Sequence, residues 1–137
     1  MKILLVEDDP NLRALWGPIF EEAGHQTFQV ATEGSALAAL RTSDYDLVVL
    51  DLCVAGGDTL GVASYATCRN PDCRVVVVSG SAAHSRAMLS AAAPAVTTTL
   101  RKPVDIEDLE DACRIVTRTA RRMPVTALIA ASAEYRP

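Results

Sequence analysis

Short apolar runs recur along this chain, each followed by a segment with helical spacing. Ile3 to Val6, Leu47 to Leu50 and Arg74 to Val78 carry almost no polar residue between their apolar ones. A strand with one wet face alternates apolar and polar residues, whereas an unbroken apolar run of this length reads as a strand covered on both faces. Thr27 to Val30 and the Thr-rich Ala95 to Leu100 are the other two strand candidates. Five such strands joined by helices imply one parallel sheet with helices on both faces and right-handed crossovers. The expected fold is therefore α/β and doubly wound. At 137 residues the chain suits one domain with a real core.

The expected helices differ in how well they are marked. Asp9-Pro10 supplies an N-cap and a first-turn proline, Leu12, Leu15, Trp16, Ile19 and Phe20 follow at helical spacing, and Gly24 is the stop. Pro18 sits inside this helix and predicts a kink or a break. Glu33 to Arg41 and Ala82 to Ala92 are Ala-rich helices, and Thr59 to Arg69 is a weaker one. Asp105 caps the last, whose expected stripe is Ile106, Leu109, Ala112, Cys113, Val116 and Ala120. Its acids come first and its arginines last, which suits the helix dipole. The domain is expected to end near residue 122. Residues 123 to 137 then form a tail, read as a loosely held extension, with a homodimer or partner contact as its functional reading. No output domain is expected.

Composition narrows the function. A net charge of -4 leaves no electrostatic footprint for nucleic acid or an anionic membrane. No apolar run approaches a bilayer's thickness, and the N-terminus, one lysine, four apolar residues and then acids, is not a signal peptide. Cys53, Cys68, Cys73 and Cys113 make no CxxC pair, and His25 and His84 lie far from them, which argues against zinc. Reduced, mostly buried thiols in a cytoplasmic protein are the expectation. Trp16 is expected in the core, and His25, after the helix stop, in a solvated turn.

The chemistry gathers where an open parallel sheet binds ligands, beyond the carboxyl ends of its strands. Glu7 and Asp8 follow the first strand, Asp51 the third, Ser79 the fourth and Lys102-Pro103 the fifth. Crowded carboxylates repel unless a cation offsets them, and magnesium takes hard oxygen ligands of this kind. A hydroxyl and an amine alongside suit the oxygens of a phosphoryl group. The set reads as a magnesium-assisted phosphoryl-transfer site in which a carboxylate is the nucleophile.

The stretches LLVEDDP, DLVVLDL, VVVVSG and LRKP, in this order and spacing, resemble the receiver domain of bacterial two-component response regulators. The resemblance covers residues 1 to about 121. It implies a flavodoxin-like strand order of 2-1-3-4-5, as in the receiver protein that serves as a standard example of that order. It also implies roles. Asp51 accepts a phosphoryl group from a sensor histidine kinase or phosphotransfer protein. Asp8 ligates Mg2+ directly, Glu7 helps through water, and the backbone carbonyl of Cys53 is the third protein ligand. Ser79 and Lys102 contact the phosphoryl group, and the peptide before Pro103 is cis. Such a domain is no enzyme toward other substrates, since it catalyses only its own phosphorylation and dephosphorylation. A downstream protein would read the face formed by the fourth helix, fifth strand and fifth helix.

Three positions depart from the family pattern: Ala55 replaces a proline, Thr59 a glycine, and Thr99 the aromatic three residues before Lys102. Thr99 cannot fill an aromatic's volume, so a receiver that binds without switching is one alternative. A magnesium-dependent aspartyl-phosphate hydrolase is another, but it needs a second aspartate where Cys53 stands. A dinucleotide fold would need a glycine-rich first turn, which EDDPN lacks.

Overall fold

The computed structural model describes residues 1–52, 60–79 and 96–122, with the side chains of 96–99, 101 and 115–122 outside that description. The helix expected over Ala82 to Ala92, the tail from 123 to 137, and Cys53, Ala55, Thr59 and His84 lie outside the described residues. The elements run β1 (Lys2–Val6), α1 (Pro10–Glu22), β2 (Gln26–Val30), α2 (Glu33–Thr42), β3 (Leu47–Asp51), α3 (Leu60–Arg69), β4 (Arg74–Ser79) and β5 (Val96–Arg101), followed by a terminal helix (Ile106–Arg122).

The strands form one sheet in the order β2-β1-β3-β4-β5. Every pairing is parallel. Ile3 pairs with Leu47, and Val6 with both Val30 and Leu50, which levels the ends of the first three strands. Asp51 stands opposite Val78, and Ser79 opposite Arg101. A shared register of this kind brings residues from distant parts of the chain to one rim.

Alternate residues of the same apolar runs fill two separate cores. Leu4, Val6, Val48, Leu50, Val75 and Val77 pack beneath α2 and α3, against Ala36, Leu40, Val62, Ala63 and Ala66. Ile3, Leu5, Leu47, Val49, Val76 and Val78 face the other way, against Trp16 and Phe20 of α1 and Leu109, Ala112 and Cys113 of the terminal helix. Double burial is the physical reason these runs show no polar alternation. The edge strand β2 reads differently: Gln26, Phe28 and Gln29 are exposed along it.

Helix α1 is set by its ends. The Asp9 side chain accepts a hydrogen bond from the Asn11 N–H at 2.8 Å, with Pro10 in the first turn. At the other end Gly24 adopts φ +91, its N–H donates to the Glu21 carbonyl, and the His25 N–H donates to that of Phe20. These paired bonds form a Schellman stop, which needs a residue that tolerates positive φ. Of the kink or break expected at Pro18, the break does not occur: Pro10–Glu22 is one helix that runs through it. Pro18 and Ala14, whose carbonyl loses its donor, are both exposed, so water can serve the orphaned group. Gly17, beside Pro18, is buried, and a Cβ there would collide with Nε2 of Gln29.

Two packing expectations need correction. Ile106 does not join the buried stripe of the terminal helix and is 42% exposed. It occupies the first turn, before the helix settles onto the sheet at Leu109. His25 is no simple solvated turn residue: its Nδ1 lies 2.9 Å from the Met1 amino group, half-buried between the amino end of β1 and the α1 stop. Among the described thiols, Cys73 and Cys113 are buried, while Cys68 is exposed. Burial pushes Cys73 up to about 11 and Cys113 up to about 12, which keeps both as unreactive thiols.

Candidate functional site at the carboxyl rim

Three polar or charged residues of the described chain are buried, Glu7, Asp51 and Ser79, and each stands at the carboxyl end of a strand. Glu7 is the first residue past β1, yet its N–H still donates to the Val30 carbonyl, extending the ladder by one step. Asp51 is the last residue of β3 and Ser79 the last of β4. The flat register therefore delivers them side by side. One carboxylate oxygen from each of Glu7, Asp8 and Asp51 lies within 4.8 Å of the others.

Lys102 supplies the opposing charge. Its Nζ donates to Glu7 Oε1 at 2.8 Å and to Asp51 Oδ2 at 3.1 Å, across 95 and 51 residues of sequence. Its backbone N–H donates to the Ser79 carbonyl at 2.9 Å, which ties the loop after β5 to the end of β4. The Lys102–Pro103 peptide is cis. Burial of the ammonium acts against its charge, but the hydrogen bonds and charges of Glu7 and Asp51 outweigh it and raise the lysine's pKa. Glu7 shows the cost of the arrangement. Burial, then its hydrogen bond with Asp51, push its pKa up to about 8, against the lowering pull of Lys102. A desolvated carboxylate beside another needs more positive charge than one lysine provides.

The donor set fits magnesium. Carboxylate oxygens are the hard ligands it prefers, and Asp8, half-buried beside fully buried Glu7, leaves the cluster open to solvent on one side. The Cys53 carbonyl lies outside the described residues, as does the Thr99 side chain, although the Thr99 backbone pairs with Val77 in the sheet. Asp9 is not one of the three clustered carboxylates, and its side chain caps α1.

Arg13 is a site neighbour that the sequence reading did not single out. Its Nη1 donates to the Glu7 carbonyl at 2.7 Å. The available signal was its place one helical turn past Asp9, on the helix that starts from the acidic turn.

The response regulator receiver domain family matches residues 3–114 of the chain. The chain belongs to this family. It is 30% identical over 113 residues to sporulation initiation phosphotransferase F of Bacillus subtilis, covering 82% of this chain and 90% of that protein. Solved structures agree in fold. A CheY-like receiver domain from Methanospirillum hungatei superposes with a TM-score of 0.77 at 23% identity, over 88% of this chain and 97% of that one. The response regulator TrrA of Thermotoga maritima, solved with Mg2+ and BeF, gives a TM-score of 0.72 at 24% identity, over 84% and 97% of the two chains. Receiver domains act in two-component signalling, interact with histidine kinases or phosphotransfer proteins, and generally bind Mg2+ at an acidic pocket. Among the described residues, no helix is long and apolar enough to cross a membrane.

Proposed function

We propose that this receiver domain takes a phosphoryl group onto Asp51 from the phosphohistidine of a sensor kinase or phosphotransfer protein, with Mg2+ at the Glu7, Asp8 and Asp51 cluster. The observation that carries the reading is the double contact of Lys102 with Glu7 and Asp51, beside the close approach of three carboxylates. An Asp51 oxygen attacks phosphorus, the phosphorus–nitrogen bond to histidine breaks, and the imidazole leaves as a neutral ring that keeps the proton already on its other nitrogen. Asp8 and Asp51 would hold the metal directly, with Glu7 through water and the Cys53 carbonyl as a further ligand. Bound there, Mg2+ supplies charge that offsets the carboxylates and the phosphoryl oxygens.

Lys102 would pair with a phosphoryl oxygen on Asp51, and Ser79, at the adjacent strand end, would donate its hydroxyl. A domain in which those contacts favour one conformation shifts its population on phosphorylation. The surface affected would be the one on β5 and the terminal helix, where a downstream protein would bind and where Ile106 is exposed. Later hydrolysis returns the carboxylate.

The test is acetyl phosphate with magnesium, followed by intact mass. The wild type should gain one phosphate mass and Asp51→Asn none. Retention of the added mass in Asp51→Asn would show that the acceptor lies elsewhere.

A further inference from the structure

The acidic turn is held at two of its carbonyls by one residue. The Arg13 backbone N–H donates to the Asp9 carbonyl at 3.1 Å, closing the first turn of α1. Its guanidinium reaches back to the Glu7 carbonyl at 2.7 Å, and among the described residues that is its one side-chain hydrogen bond. Between the two lies Asp8, whose own N–H donates to Glu7 Oε2 at 3.0 Å. Glu7 is fully buried, so its carbonyl would lose a partner there without the guanidinium.

We propose that Arg13 is a positioning residue of the metal site, clamping the Glu7–Asp9 turn in the form that gathers the carboxylates of Glu7 and Asp8 toward Asp51. The inference rests on the magnesium reading above. It concerns Arg13 alone and does not depend on transfer to Asp51. Two physical effects of this arginine oppose each other. As a fixed cation beside the acids it repels an incoming dication. As a planar donor it fixes the backbone that carries two of the ligands, and groups that orient metal ligands typically govern affinity by about ten- to a hundredfold. The structure favours the second effect, because the guanidinium bonds to a backbone carbonyl and not to a carboxylate.

The sign of one measurement decides between them. Magnesium is titrated calorimetrically into wild type and Arg13→Met, and thermal midpoints are taken in chelator to follow folding separately. Positioning predicts that Arg13→Met binds magnesium at least about tenfold more weakly. Unchanged or tighter binding by Arg13→Met, beside a wild type that does bind, overturns the proposal alone. A wild type that binds no magnesium overturns the site reading as well. Should Arg13→Met fail to fold, Arg13→Lys carries the same test, because it keeps the charge and loses the planar fork. Weaker binding by Arg13→Lys supports positioning, and wild-type affinity refutes it.

Discussion

The two rims of the sheet use the same kinds of side chain in opposite ways. At the amino rim, the Lys2 N–H donates to Asp46 Oδ2 at 2.8 Å, the Asp46 N–H returns a bond to the Lys2 carbonyl at 2.8 Å, and the Arg74 N–H reaches the Asp46 carbonyl at 3.0 Å. The Lys2 ammonium lies over the rings of Phe28 and Tyr45, 5.2 and 4.9 Å from their centroids, and those rings meet edge to face. These charges stay half-exposed or exposed and close the end of the fold. At the carboxyl rim, Glu7 and Asp51 are withdrawn from water beside one lysine. The first rim is a solvated clasp worth little per contact, whereas the second stores electrostatic cost that a ligand can relieve.

Lys102→Met should give the largest effect on that contrast. Removing one partner from a buried ionic group leaves uncompensated charge, so the metal-free protein should lose about 3 kcal/mol of stability in urea titrations at pH 8. Added magnesium should restore part of it. A loss no larger than that of an exposed ion pair would erase the distinction between the rims.

Next comes the pH dependence of the metal-free protein. The Glu7 pKa is raised in the fold from 4.5 to about 8, so across that window the native state holds more of a proton than the unfolded chain. Stability should therefore fall as pH rises from about 4.5 toward about 8. Glu7→Gln should flatten this slope. Urea midpoints in chelator at several pH values check it, and an unchanged slope in Glu7→Gln would place the titrating group elsewhere.

Lys2→Met should matter least, costing about 0.5–1 kcal/mol from the lost ammonium–ring contacts. It should also leave magnesium affinity unaltered, as calorimetry would show.

Much of this was legible before folding because it depends on local pattern. Doubly buried strands announce themselves by unbroken apolar runs, and the Asp9-Pro10 start and Gly24 stop of α1 act through backbone groups within a few residues. The rim residues were legible as a set because each lies within a residue or two of a strand end, where parallel register must assemble them. Pro18, His25, Ile106 and Arg13 were not. A proline is tolerated or disruptive according to whether its orphaned carbonyl meets water, and a lone histidine or isoleucine cannot show which neighbour another segment will bring. Arg13 looks like any helix-surface arginine until the turn before it folds back within reach.

By itself, then, the amino-acid order determined the element types, the parallel sheet and the cast of acids, hydroxyl and lysine at one edge, because these follow from short-range periodicity and strand-end position. Only the tertiary structure decided that Lys102 bridges Glu7 and Asp51 and that Arg13 grips the acidic turn from behind. Those relations depend on the three-dimensional distance between segments up to 95 residues apart, and burial, which sets the electrostatic cost of Glu7, exists only once the sheet and its helices close around it.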